Sequence, residues 1–140
     1  KGSANWRRAK MDVTRKYQYV QNCRKDWFYK LAVDIASQYS DVCIEDLNIK
    51  AMQRLWGRKV SDYAFTEFVG ILQYQLSKTG GQLHKVDRFF PSSKTCFHCG
   101  HVVKELPLDV RRWECPTCHA MLDRDGNAAT NILVEGMKSA

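Results

Sequence analysis

The stretch that decides the fold is residues 91–131, PSSKTCFHCGHVVKELPLDVRRWECPTCHAMLDRDGNAATN. It contains two Cys-x-x-Cys pairs, Cys96/Cys99 and Cys115/Cys118, with 15 residues between them. Four thiolates at this spacing can surround one Zn²⁺ as a tetrahedron, because each pair sits on a tight knuckle and the intervening hairpin joins the knuckles. The stretch therefore predicts a zinc ribbon. A metal with four protein ligands has no open position, so the ribbon is structural and any chemistry lies in carboxylates beside it.

The composition of the whole chain favours one small domain with a polyanionic partner. At 140 residues the chain is long enough for one modest core, and its net charge of +7 makes nucleic acid the first candidate partner. Paired cysteines suit a reduced metal site better than disulfides, so we expect a cytoplasmic protein. No apolar run approaches the length of a membrane span, so no membrane partner is expected. The opening KGSANWRRAK suggests the middle of a longer protein, and we expect a fragment.

The first third of the chain predicts one long basic helix. Between Ala4 and Tyr39 there is no proline or glycine, and apolar residues recur at helical spacing. The expected inward positions are Trp6, Ala9, Val13, Val20, Trp27, Leu31 and Ile35. The other faces are rich in lysine and arginine, and Arg7, Arg8 and Lys10 are candidate contacts to nucleic acid. An ordinary solvated helix face is the alternative, with about equal weight. Cys23 and Cys43 have no partner at metal spacing, and we expect both to be buried.

The middle of the chain predicts an α/β layer. Residues 42–44 form a short apolar run that indicates a buried strand, and Glu45 follows at its carboxyl end, where α/β sheets gather active groups. A helix cap or a surface carboxylate is the alternative for Glu45. Residues 51–60 predict a basic loop near nucleic acid, with Arg58 as a contact. A helix capped by Ser61 then runs to Gly80-Gly81, and residues 84–91 predict a second strand.

The last segment predicts a short helix over residues 127–138, with Ala128, Ile132 and Leu133 facing inward. Asp123 lies just ahead of this helix and is expected to be its N-cap. Arg124 is a candidate phosphate contact. Asn127 and Asn131 are one turn apart and could either orient substrate or bind backbone groups. The two cysteine pairs already complete a zinc shell, so the four histidines are not expected to be ligands.

Three motifs in order carry a resemblance to a known family. The motifs are IEDLNIKAM, PSSKTCFHCG and RRWECPTCHAMLDRDGNAATNIL, and the chain that contains them resembles the C-terminal part of the TnpB (OrfB) family over almost its whole length. These are insertion-sequence proteins related to type V CRISPR effector nucleases. The resemblance implies a partial RuvC-like nuclease of RNase H fold, in which acidic residues bind two Mg²⁺ ions and cut DNA guided by RNA. It implies that Glu45 is the second catalytic carboxylate and Mg²⁺ ligand, and Asp125 the third.

The family's first catalytic aspartate, in a strand of the type GxDxG, has no counterpart in this sequence. Asp12, Asp26 and Asp34 lie on the first predicted helix and cannot replace it. The resemblance therefore predicts a RuvC-like part over residues 1–90, a zinc-ribbon insert over 91–122, and a final RuvC-like motif and helix over 123–140. The missing N-terminal part of the same protein is an expected partner, because the sheet would otherwise have an exposed edge.

Three functions follow for this sequence. The first is the C-terminal portion of an RNA-guided, Mg²⁺-dependent DNA endonuclease associated with transposition. The second is a zinc-ribbon fragment or nuclease-dead derivative that binds nucleic acid without cutting it, and the third is a transposon remnant that only folds. Glu45 and Asp125 within their motifs favour the first for the parent protein, whereas the missing aspartate favours the second for this chain.

Overall fold

A computed structural model describes residues 2–57 and 64–138 of the chain. Helix α1 (Ala4–Gln38) leads into strand β1 (Asp41–Glu45), helix α2 (Ile49–Trp56), helix α3 (Phe65–Thr79) and strand β2 (Gln82–Val86). Two short strands, β3 (Arg112–Glu114) and β4 (Met121–Asp123), then precede the last helix, α4 (Arg124–Met137). The protein is a mixed α/β structure, as the sequence predicts.

Two separate two-stranded sheets organise the described part of the chain. Strands β1 and β2 pair in parallel, with Cys43 opposite His84 and Glu45 opposite Val86. Strands β3 and β4 pair antiparallel, with Trp113 opposite Leu122. In the part of the chain that the structure describes, β1 has a paired strand on one side alone. Its other edge is therefore open to a further strand.

The main core lies between α1, α3 and the parallel sheet. Its buried members come from one face of each helix: Phe28, Ala32, Ala36, Ile71, Leu72 and Leu76. Leu76 and Ala32 have no exposed surface, and the rings of Phe28 and Phe68 are 5.3 Å apart. Close aromatic and aliphatic packing of this kind stabilises the contact between the two helices.

Helix α1 confirms the predicted length but not the predicted inward face. Every residue from Gly2 to Cys23 is exposed, and Val20 and Trp27 are both 58% exposed. Only Leu31 and Ile35 of the expected inward set are partly buried. The reason is that α3 covers only the last third of α1, so the apolar repeat in the first two thirds has no packing partner among the described residues. Cys23 is exposed, and the expectation that it is buried was wrong.

The middle elements confirm two strands, but β1 and its Cys43 are half-buried and not buried as predicted. Residues 49–56 form helix α2, capped by Asn48, where the sequence predicted a loop. Helix α3 begins at Phe65 with Ala64 as its N-cap, so Ser61 is not that cap, and Ser61 itself lies outside the described residues. Gly80 ends α3 in the left-handed conformation with φ 80°, as expected of a glycine at this position. Strand β2 ends at Val86, earlier than predicted.

Helix α4 packs on the parallel sheet near its end, where Gly136 lies against Cys43 and Val86. Its buried residues are Asn127, Asn131 and Gly136, while Leu133 is 49% exposed, so the predicted inward position of Leu133 was wrong. A Cβ on Gly136 would lie 2.5 Å from the Sγ of Cys43, which is too close for any side chain. The absence of a side chain at Gly136 therefore allows α4 to approach β1 closely.

No helix within residues 2–57 and 64–138 is both long enough and apolar enough to cross a lipid bilayer.

Candidate active site and zinc centre

The four paired cysteines form one compact cluster. The four Sγ atoms all lie within 4.8 Å of one another; they belong to Cys96, Cys99, Cys115 and Cys118. The Sγ atoms of Cys96 and Cys118 are 3.7 Å apart, and those of Cys99 and Cys115 are 3.6 Å apart. Four sulfurs at about 2.3 Å from a central zinc would be about 3.8 Å apart in a tetrahedron, whereas a disulfide needs about 2.05 Å. The donor set and its geometry therefore fit a Zn²⁺ ion.

Backbone hydrogen bonds build the two knuckles that hold the sulfurs. Cys96 N donates to His101 O at 2.8 Å, and Gly100 N donates to Cys96 O at 2.8 Å. The second knuckle repeats this arrangement, because Cys115 N donates to Ala120 O and His119 N donates to Cys115 O. Trp113 and Leu122 pack beneath the buried Cys96 and Cys115 as a second small core. The arrangement fits the zinc ribbon that the spacing predicts.

The four thiols of the cluster also influence one another electrostatically. Burial acts to raise the pKa of the Cys115 thiol, but backbone hydrogen bonds from Cys118 and Thr117 and the neighbouring thiols lower it to about 6. The backbone of His101 acts to lower the pKa of Cys99, yet desolvation and the other three thiols raise it to about 12. Four thiols this close cannot all ionise alone, and a dication would allow them to do so.

Among the described residues, one group of side chains lies close enough together to hold a metal ion, and it consists of the four cysteines without a histidine. His119 instead lies against a carboxylate, with Nδ1 2.8 Å from Oε1 of Glu114. His84 lies at the parallel sheet, with Nε2 2.9 Å from Oδ1 of Asp41. The hydrogen bond with His84 holds the pKa of the Asp41 carboxyl below its usual value, and the hydrogen bond from Ser40 lowers this pKa further.

Glu45 and Asp125 line the same groove. Glu45 is the last residue of β1 and Asp125 lies in the first turn of α4, yet both border an open cavity of about 600 Å³. The other lining residues are Ser92, Ser93, Leu108, Arg111, Arg124, Ala128, Ala129 and Ile132. The fold thus brings together two carboxylates that are far apart in sequence, which spacing alone could not show.

The carboxylate of Asp125 is open to solvent and lies near a cation. Its side chain is 78% exposed, and Nη1 of Arg111 lies 3.4 Å from its Oδ2. An exposed pair at this distance contributes little to stability, so Asp125 is free to exchange Arg111 for another cation. Arg111 was missed in the sequence analysis. The motif Arg111-Arg112-Trp113 before the second cysteine pair was visible, but nothing in it indicated which arginine faces the groove.

The carboxylate of Glu45 is half-buried and held by a serine. Ser92 Oγ donates to Glu45 Oε1 at 2.6 Å, and Ser92 is only 5% exposed. Ser92 was also missed from sequence, because a serine in a turn carries no signal of its partner. Asp46, the next acidic residue, forms an ion pair with Arg88 and does not line this groove.

Helix α4 begins with the cap that the sequence predicts. Asp123 Oδ1 accepts a hydrogen bond from Gly126 N at 2.9 Å, so Asp123 is the N-cap residue. Arg124 lines the groove, and its Nη1 donates to Pro107 O at 3.0 Å and to Leu108 O at 2.9 Å. Arg124 therefore fastens the loop before β3 to α4. A contact from Arg124 to phosphate stays a prediction.

The two buried asparagines bind backbone groups at the base of the ribbon. Nδ2 of Asn131 donates to Ser92 O at 2.8 Å and to Thr95 O at 2.6 Å. Nδ2 of Asn127 donates to the same Thr95 oxygen at 2.7 Å, and its Oδ1 accepts from Phe97 N at 3.0 Å. Of the two predicted roles, the structure gives these residues the backbone-binding one.

Three of the remaining predicted nucleic-acid residues, Arg7, Arg8 and Lys10, do not line the groove. Arg7, Arg8 and Lys10 are exposed near the start of α1, and Lys10 Nζ lies 5.3 Å from the ring centre of Trp6. Arg58 lies outside the residues that the structure describes. These four residues remain predictions as nucleic-acid contacts.

Comparisons with known proteins match nearly the whole chain. Residues 65–132 match the family model described as "Cas12f1-like, TNB domain", and residues 1–55 match the OrfB_IS605 family model, described as "Probable transposase". A protein of Streptomyces pristinaespiralis named "Putative RNA-guided DNA endonuclease" is 40% identical over all of this chain and 35% of its own length. TnpB-like protein L79 of Acanthamoeba polyphaga mimivirus is 32% identical over 89% of this chain and 25% of its own length.

The fold also matches solved structures. The Cas12f1 chain in a complex with sgRNA and target DNA superposes with a TM-score of 0.66 over 89% of this chain and 37% of that chain, at 23% identity. The chain thus has the mixed α/β fold of part of Cas12f1, with a cysteine cluster of zinc-ribbon type. It belongs to the TnpB (OrfB) family of insertion-sequence proteins, which is related to the type V CRISPR effectors. The chain spans between a quarter and about a third of the length of these two curated relatives.

Proposed function

We propose that the chain supplies two of the carboxylates, Glu45 and Asp125, of a Mg²⁺-dependent centre in an RNA-guided DNA endonuclease. The observation that carries this proposal is that both carboxylates line one open groove together with Arg111 and Arg124. Membership of the TnpB family supports it, because several curated relatives carry the name "Putative RNA-guided DNA endonuclease". The fold we propose is a partial RuvC-like arrangement of the RNase H type.

The donor set of the groove fits magnesium. Glu45 and Asp125 offer hard oxygen ligands, and the exposed carboxylate of Asp125 can reach a cation that keeps several of its waters. Two Mg²⁺ ions, when bound, would neutralise the attacking and leaving oxygens of a phosphodiester. The zinc site differs in kind, since its four thiolates are soft ligands and its role is to hold the ribbon.

The arginines give the groove its affinity for phosphate. Arg111 pairs with Asp125 and is 71% exposed, so it can turn to a phosphate oxygen when a cation replaces it at the carboxylate. Arg124 is held on the backbone of Pro107 and Leu108 and keeps a positive charge at the groove wall. A nucleic-acid strand entering the groove would therefore meet both carboxylates and at least one cationic side chain.

The carboxylate that completes the centre, the family's first aspartate, would come from outside this sequence. The described lining of the groove has Glu45 and Asp125 as its acidic residues, and the family's first aspartate has no counterpart here. The open edge of β1 lies next to Glu45 and could receive the strand that carries it. We therefore propose residues 1–90 and 123–140 as RuvC-like parts, residues 91–122 as the inserted ribbon, and the N-terminal part of the same protein as a partner.

The nucleic acids we propose are target DNA and a guide RNA. The net charge of +7 and the exposed basic residues at the start of α1 favour polyanion binding. The reducing cytoplasm is the compartment that would preserve four zinc thiolates.

A plasmid-cleavage assay tests this proposal. The intact protein, with guide RNA and Mg²⁺, should cut a matched plasmid, and Glu45→Ala or Asp125→Ala should abolish cutting. Asp123→Ala is the matched control, because Asp123 is two residues from Asp125 but caps the helix. Residues 1–140 alone should not cut. Full activity of the Asp125→Ala protein would overturn the assignment of that carboxylate.

A nucleic-acid-binding module without cleavage is the second candidate function for this chain. The observation in its favour is that the groove lining contains only two carboxylates in the described residues, fewer than the family's catalytic centre uses. Guide-dependent cutting by the intact protein would confine this second function to the isolated chain. Salt-sensitive binding without any cutting, in both forms, would make it the function of the whole protein.

A further inference from the structure

Ser92 is a buried residue of the groove whose hydroxyl has one specific partner. It lies in the turn between β2 and the first zinc knuckle and is 5% exposed. Its Oγ donates to Oε1 of Glu45 at 2.6 Å, a short distance typical of a hydrogen bond to an ionised carboxylate. A buried hydroxyl needs a hydrogen-bond partner, and here that partner is the carboxylate at the end of β1.

The backbone of Ser92 is fixed by the last helix. Ser92 O accepts from Nδ2 of Asn131 at 2.8 Å and from Nδ2 of Asn127 at 3.4 Å, while Ser92 N donates to Phe90 O at 2.8 Å. Both asparagines are nearly fully buried. The serine hydroxyl therefore has a position set by α4, the same helix that carries Asp125.

We propose that Ser92 is a positioning residue for Glu45 in the metal centre. By engaging Oε1, it restricts rotation of the carboxylate and leaves Oε2 to meet a cation in the groove. Because the asparagines of α4 hold the Ser92 backbone, Glu45 is positioned relative to Asp125 through one chain of hydrogen bonds. This inference deepens the proposed function and rests on it.

A spectroscopic test examines the hydrogen bond without metal binding or cleavage. The chain contains five glutamates, so ¹³Cδ-labelled glutamate gives a simple carboxyl spectrum of the zinc-loaded protein. Glu45→Gln assigns one resonance. Ser92→Ala should move that resonance, whereas Ser93→Ala should not, since Ser93 lines the same groove and no hydrogen bond from it to Glu45 occurs in the described residues. Ser92→Thr keeps a hydroxyl and should restore the wild-type position.

A binding test examines the positioning role. Mn²⁺ titrated into the same zinc-loaded proteins should bind about tenfold more weakly to Ser92→Ala than to wild type, since a hydrogen bond to a charged group is lost. Ser93→Ala and Ser92→Thr should stay within about twofold. Equal zinc content and an unchanged amide spectrum outside the turn would separate this effect from general unfolding.

The outcomes distinguish this inference from the proposed function. If Glu45→Gln leaves Mn²⁺ binding unchanged, the proposed function fails, and Ser92 has no metal ligand to position. If Glu45→Gln weakens binding while Ser92→Ala leaves both the affinity and the Glu45 resonance unchanged, the proposed function stands and this inference is overturned. A moved resonance with unchanged affinity would also overturn it, because the hydrogen bond would then be merely structural.

Discussion

Replacing Asn127 by alanine should destabilise the protein, because this side chain connects α4 to the base of the ribbon. Asn127 is 2% exposed and makes three hydrogen bonds to backbone groups: Oδ1 accepts from Phe97 N at 3.0 Å, and Nδ2 donates to Thr95 O at 2.7 Å and to Ser92 O at 3.4 Å. Each bond contributes on the order of 1 kcal/mol, so the loss should total about 3 kcal/mol. Asn131 also donates to the carbonyl groups of Ser92 and Thr95, so these groups keep a hydrogen-bond partner in the variant and add no further loss of stability.

Urea unfolding of the zinc-saturated protein measures this loss. With a slope of about 2 kcal/mol per molar urea, the unfolding midpoint of Asn127→Ala should fall by about 1.5 M. Asn22→Ala is the matched control, because Asn22 is an exposed asparagine of α1 whose amide oxygen accepts a hydrogen bond from the exposed Gln18 of the same helix. Its midpoint should move by less than about 0.3 M. A change in unfolding free energy below about 0.5 kcal/mol for Asn127→Ala would refute the structural role argued for this residue.

Three further predictions concern the zinc cluster, the cap of α4 and the binding of nucleic acid. Chelation of zinc should unfold the ribbon, since such sites contribute on the order of 10 kcal/mol, and metal analysis of the purified chain should find about one zinc per chain; cysteines found in disulfides without zinc would contradict this. Asp123→Ala should cost about 1 kcal/mol of stability through loss of the cap on Gly126 N, measured by thermal or urea unfolding; an unchanged midpoint would mean that the cap contributes nothing. Binding to single-stranded DNA or RNA, followed by fluorescence anisotropy, should weaken by orders of magnitude between about 50 and 200 mM salt if several phosphates are engaged; salt-independent binding would argue against an electrostatic interface.

The ribbon and the N-cap of the last helix were predictable from sequence because local chemistry determines them, although the helix begins at Arg124, three residues earlier than predicted. Paired cysteines at knuckle spacing determine a metal cluster, and an aspartate before a helix provides a cap. The strand before Glu45 was predictable for a similar reason, since a short β-branched run bounded by turn residues has few other structures available. These features depend on neighbours within a few residues along the chain.

The features that sequence did not reveal depend on which surfaces meet. The apolar repeat of α1 is uniform, and only the position of α3 decides that Phe28, Ala32 and Ala36 are buried while Val13 and Val20 are exposed. Helix α2 was missed because its basic residues suggested a loop, although Asn48 caps it as an ordinary helix start. The hydrogen bond from Ser92 to Glu45 joins residues 47 apart and could not be inferred from either neighbourhood.

The most direct test of the central claim is a double-mutant cycle on Mn²⁺ binding to the zinc-loaded chain. If Glu45 and Asp125 serve one metal centre, Glu45→Gln and Asp125→Asn should each weaken Mn²⁺ binding, and the double variant should bind little more weakly than the worse single one. Asp109→Asn, an exposed carboxylate that does not line the groove, serves as the control and should leave binding unchanged. If the losses of Mn²⁺ affinity in the two single variants multiply in the double variant, the two carboxylates do not form one site. Wild-type affinity in both single variants would contradict the claim as well.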